Sequence, residues 1–120
     1  MTVITNILVG LVALLHVYFL ILEMFLWDKP FGLRTFGHSQ ESANGSKILA
    51  MNQGLYNGFL AAGLIWGLSL GAAGDSIKLF FLGCVLIAGI FGGLTASRKI
   101  LVFQALPAAL ALAGLILFQP

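Results

Sequence analysis

Residues 3–27, VITNILVGLVALLHVYFLILEMFLW, decide the fold class. The run exceeds the roughly 20 apolar residues needed to cross a hydrocarbon core of about 30 Å. It carries no formal charge before Glu23, and Asp28-Lys29-Pro30 closes it, because proline restricts the preceding residue and cannot continue the helix ladder. A membrane span is expected here rather than a secretory leader. No basic residue precedes the apolar run, and Trp27-Asp28-Lys29 is not a small-residue cleavage site.

The remaining chain repeats the pattern, with apolar runs at 48–72, 77–96 and 100–118. Of 120 residues, 60% are hydrophobic and 8% charged, against about 25% charged in an ordinary soluble domain. A fold of this length buries only about two thirds of its surface, so a water-soluble monomer is excluded. The expected architecture is all-α, a four-helix integral membrane bundle running up-down-up-down as a single membrane domain over residues 1–120. Gly74-Asp75-Ser76 and Ser97-Arg98-Lys99 read as tight turns, whereas residues 28–47 form a long first loop. Its first half, Phe31-Gly32-Leu33-Arg34-Thr35-Phe36, reads as a segment lying at the membrane interface. Its second half is polar, and any of its serines or Asn44 could cap the second span.

Lysine and arginine orient the chain. Lys29, Arg34, Lys47, Arg98 and Lys99 fall on one side and Lys78 on the other, which predicts cytoplasmic first and third connections and a multi-pass protein of the inner, plasma membrane with both termini outside. The net charge of +2 is scattered and makes no nucleic-acid stripe. Cys84 is the one cysteine, so no intramolecular disulfide is expected. His16, His38 and Cys84 lie far apart in the sequence, and neither metal nor cofactor is expected. Catalytic and phosphate-binding signatures such as Gly-x-Ser-x-Gly are absent from the sequence.

The informative residues are therefore polar groups inside the spans. His16 and Glu23 lie two helical turns apart on one face of the first span, with Trp27 near that face. Asn52, Gln53, Tyr56 and Asn57 cover an arc of about 140° on the second. Because the two spans meet the same boundary, Glu23 is level with Asn52 and Gln53 to within about one turn, and Gln104 of the fourth span joins that layer. The expected binding set is His16, Glu23, Trp27, Asn52, Gln53, Tyr56, Asn57 and Gln104. Glu23 stands out, because an acid deep in a span costs about 2.5 to 3.5 kcal/mol and structure alone rarely requires it. Pro107 removes the hydrogen bond to the Phe103 carbonyl and predicts a disturbed turn there. Glycine pairs at the i, i+4 spacing, Gly54/Gly58, Gly63/Gly67, Gly67/Gly71 and Gly89/Gly93, predict close helix contacts and a homo-oligomer.

His16, Glu23 and Trp27, a Phe36-Gly37 loop, and Met51-Asn52-Gln53-Gly54-Leu55-Tyr56-Asn57-Gly58 resemble an uncharacterised family of small four-helix membrane proteins, a domain of unknown function. The resemblance covers the whole chain and implies four spans without an activity. A looser architectural likeness to small multidrug-resistance transporters would make Glu23 the proton-exchanging group, with Tyr56 and Trp66 as aromatic walls. Three functions stay open. One is the binding or transport of a small amphiphile, with or without proton coupling. Another is a membrane-embedded enzyme acting on a lipophilic substrate, with Glu23 and His16 as its acid–base pair. The third is a non-catalytic accessory subunit.

Overall fold

The computed structural model describes residues 2–118, and every regular element among the described residues is a helix. Helix α1 spans Thr2–Met24, α2 Pro30–Phe36, α3 Gln40–Ser69, α4 Asp75–Thr95 and α5 Leu106–Leu117; a 3-10 turn at Gly71–Gly74 precedes α4, and a π turn at Leu101–Ala105 precedes α5. The Thr2–Met24 helix and the Gly71–Thr95 stretch are long and apolar enough to cross a membrane, whereas Leu101–Leu117 is shorter. At 30 residues α3 is longer still. Asn52, Gln53 and Asn57 keep it out of that class.

The long first loop is largely absent. Pro30 opens α2 in the first-turn position, where a missing N–H costs nothing, and Gly37 closes it in the left-handed region at φ 66°. The Ser42 amide then donates to Ser39 Oγ at 3.1 Å, so Ser39 caps α3. A serine does cap the helix, as the composition of the loop predicts, but it starts α3 more than two turns before residue 48.

The chain divides into two compact units. One comprises residues 2–14 with 60–118. Its core joins Val9, Val12 and Ala13 of α1, Leu64 of α3, Leu82 and Val85 of α4, and Ala108, Ala111 and Leu115 of α5. Small residues allow this closeness: a Cβ at Gly89 would lie 2.8 Å from the Ala105 amide nitrogen, and one at Gly93 would strike Leu101. Gly63 and Gly67 likewise face Phe81 and Lys78. Gly71 does something else, turning the chain after α3 at φ 59°. Pro107 has the expected effect: the turn before it widens, and the Leu106 amide donates to the carbonyl of Leu101.

The same unit buries Lys78, expected near the start of the third span as the cation of its own side. The Lys78 side chain is 2% exposed. Its ammonium lies 3.2 Å from each of Asn6 Oδ1, the Gly71 carbonyl and Asp75 Oδ1, so all three of its protons have an oxygen. It ties α1, the 3-10 turn after α3 and the start of α4 together.

The second unit comprises Leu15–Phe59 and contains α2 and the adjoining parts of α1 and α3. Across the molecule the outer surface is apolar: Val3, Ile48, Leu49, Ile87, Leu94 and Leu117 are each more than 70% exposed. Replacing Lys78 by methionine keeps the stem but strands the Asp75 carboxylate and the Gly71 carbonyl. We expect about 3 kcal/mol of destabilisation, measured as a lowered thermal unfolding midpoint of the purified chain in detergent.

Candidate functional site

Glu23 stands in the last turn of α1 and Asn57 in the middle of α3. Asn57 is buried and donates from Nδ2 to Glu23 Oε1. The contact exists because α1 and α3 approach on glycine. A Cβ on Gly54 would lie 2.6 Å from Met24 Cγ, 3.1 Å from Glu23 Cβ and 3.2 Å from the Leu20 carbonyl oxygen; one on Gly58 would lie 2.7 Å from Leu20 Cδ1. The helices could not close to this distance over any side chain.

That glycine face sorts the expected amides. At 100° per residue, Asn57 lies about 60° from Gly54, whereas Asn52 and Tyr56 fall on the far side of α3. Asn52 is exposed and donates to the Ile48 carbonyl of its own helix at 3.1 Å. Gln53 is exposed, and Tyr56 is 55% exposed beside Phe59. The expected level with Glu23 fits the contacts of Gly54, but one amide of the arc turns toward α1. Helix contact follows the smallest residues rather than the polar ones, because close packing of backbones is what two apolar helices gain.

His16 shares the Glu23 face and is fully buried, with its ring edge-on to Phe19 at 5.4 Å between centroids. It stands about 10 Å further along α1 than Glu23, so the two are not brought together as an acid–base pair. Gln104 lies in the other unit, where its amide donates to the Val85 carbonyl at 3.1 Å.

Trp27 belongs to a different assembly, which joins the end of α1 to the start of α3. Its indole N–H donates to Ser46 Oγ at 3.0 Å, and Ser46 donates in turn to the Ser42 carbonyl at 2.8 Å. The Trp27 ring packs on Phe36 and His38, at 4.7 and 4.5 Å between centroids, and His38 Nε2 lies 3.2 Å from the Trp27 carbonyl oxygen. Lys47 pairs with Asp28 at 3.0 Å. Gln40 donates to the Asp28 carbonyl at 3.2 Å and to Asn44 at 2.9 Å. Ser46, expected among the candidate caps, instead accepts from Trp27, and the contacts of His38 and the pairing of Asp28 with Lys47 were not expected from the sequence. Two signals pointed to them: a half-buried tryptophan needs an acceptor for its N–H, and opposite charges closed the two ends of one connection.

A family model described as "Protein of unknown function (DUF1304)" matches residues 10–116. The chain belongs to this family. The match spans both the Glu23–Asn57 pair and the Trp27 assembly of this DUF1304 member. It is also 35% identical over 114 residues to the "Uncharacterized protein YpaA" of Lactococcus lactis subsp. lactis (strain IL1403), covering 93% of this chain and 96% of that relative. No solved structure matches.

In this DUF1304 chain the hydrogen bond from the Lys47 ammonium is the main influence holding the Asp28 carboxyl below the ordinary carboxylate range. A carboxyl depressed in the folded state contributes stability above its unfolded value, near 4, and loses it as the pH falls through the lower folded value. Asp28→Asn should therefore melt below the parent at pH 7. The gap should close under strongly acidic conditions, as followed by thermal melts across pH; a gap independent of pH would remove the ion pair from this account.

Proposed function

We propose that this chain is a multi-pass integral membrane protein whose Glu23–Asn57 pair binds a small amphiphilic cation, the carboxylate exchanging a proton for it. The observation that carries the reading is the kind of partner Glu23 has. Asn57 orients the carboxylate without neutralising it, since an amide brings a dipole and no charge. Among the described residues the ion pairs are Lys47–Asp28 and Lys78–Asp75, so the lysines nearest a membrane depth are already committed. A carboxylate at the end of an apolar helix then has two ways to become neutral, by taking a proton or by taking a cation, and a site that alternates between them couples the two.

The apolar exterior supports the membrane setting, because side chains such as Ile48, Ile87 and Leu94 would each be hydrated in water and lose nothing in lipid. Burial of Lys78 sharpens the orientation argument: the one cation on the far side is enclosed, leaving Lys29, Arg34, Lys47, Arg98 and Lys99 to set the side. On this reading α1, α3, α4 and the shorter Leu101–Leu117 stretch are the four spans, and both termini lie outside. Self-association belongs to the same proposal, with a second copy covering the exposed Asn52, Gln53 and Tyr56 face of α3. His16 serves as a packed support rather than a proton donor.

The test is binding of tetraphenylphosphonium to the full chain in lipid nanodiscs. Glu23→Gln should weaken binding by about tenfold or more, the loss expected for a hydrogen-bonded charge, and binding to the parent should fall as the pH falls because protons compete for the same oxygens. Asn57→Ala should weaken it less. Equal binding by the parent and Glu23→Gln would overturn the reading.

A further inference from the structure

We propose that α2 is a docking element for anionic phospholipid, with Lys29 and Arg34 taking the headgroup phosphate while Phe25 and Phe31 lie among the acyl chains; this rests on the membrane setting proposed above.

The position of α2 makes the argument. Its 7 residues reach only about 10 Å, too short to cross a bilayer. It follows α1 after the short turn of residues 25–29, just past Trp27 where the apolar run ends, so it begins at the depth where that run leaves the hydrocarbon. It is held there firmly. A Cβ on Gly32 would collide with the Leu26 carbonyl, so the helix backbone rests against the chain leaving α1. The Phe36 ring packs on Trp27 and stacks on His38. Helix α2 is thus fixed by one side, and what it presents on the other is set by sequence.

What the segment exposes is aromatic and cationic. Phe25, in the turn before the helix, is 62% exposed and Phe31 45%, and Lys29 and Arg34 are exposed as well. The acid in the segment, Asp28, is bonded to Lys47, which takes up most of its charge, and it acts more weakly on the adjacent Lys29. Glu23, bonded to Asn57, and Glu41, in the first turn of α3, are the other acids near this segment in the sequence. Arginine offers a fork of donors to phosphate oxygens and lysine a point charge, while phenylalanine has no use for water. A protein partner would need a shaped apolar pocket for the rings. A bilayer surface supplies anionic oxygens above acyl chains in the same order that the segment presents cations and rings, and this charge complementarity selects it.

The experiment counts lipids retained by the detergent-solubilised full chain in native mass spectrometry, with phosphatidylglycerol and phosphatidylcholine offered together. The parent should keep phosphatidylglycerol preferentially. Lys29→Gln and Arg34→Gln should each reduce that retention by about fivefold, the loss expected for one surface charge, whereas Arg98→Gln with Lys99→Gln should leave it largely intact. Phe31→Ser should lower retention of both lipids. Unchanged retention in the Lys29 and Arg34 variants, or an equal loss in the Arg98/Lys99 variant, overturns the docking assignment. Complete displacement of phosphatidylglycerol by inorganic phosphate also overturns it, since the site would then hold free phosphate. Alkaline carbonate extraction of membranes carrying the parent separates the two proposals: release of the parent refutes the membrane setting, and a parent that stays in the membrane while the Lys29 and Arg34 variants keep full phosphatidylglycerol retention refutes docking alone.

Discussion

The contact of α1 with α3 over Gly54 and Gly58 is the constraint on which the rest of the Glu23 environment depends. Backbones packed this closely leave no room for adjustable side chains between them, so the rotation of α3 about its own axis is fixed by the glycines. That rotation selects Asn57 as the partner of Glu23 and turns Asn52 and Tyr56 outward. The clasp of Trp27 with Ser46 and Asp28 with Lys47 fixes the same helix pair from its other end. Two unlike forces thus meet on one pair of helices: dispersion at the glycines, and directional polar bonds where α1 gives way to α2.

Helical class and the polarity of the site were legible because both follow from composition and periodicity. Apolar runs with little charge predict helices, and Glu23 is conspicuous as an acid in one of them. The disturbed turn before Pro107 was legible for a steric reason that holds in any helix. What escaped was long-range. The start of α3 at Gln40 depends on Ser39 as a cap, and several neighbouring residues could have served locally. The split of the amide arc depended on which face of α3 would meet α1, a competition between small and polar residues that spacing alone does not decide. Lys78 reads as an interfacial lysine until Asn6, remote in sequence, is brought to it.

Lys78 and Glu23, charged groups within long helices, are treated differently. Lys78 is given a carboxylate, a carbonyl and an amide oxygen, a complete set for an ammonium. Glu23 receives one amide. The first arrangement is closed and structural; the second leaves charge to be balanced from elsewhere. This difference in completeness separates a fastening from a site more clearly than burial does, since Lys78 is the more deeply buried of the two.

Helix α3 also has a mechanical consequence. It runs unbroken from Gln40, about 20 Å from Gly54, while Asn57 lies about 5 Å beyond Gly54. With Gly54 as the pivot against α1, the helix is a lever with arms of roughly four to one. A shift of about 4 Å at the Gln40 end moves Asn57 by about 1 Å the other way, enough to part a hydrogen bond. The Trp27–Ser46 and Asp28–Lys47 bonds sit on the long arm, where a modest force holds the short one still.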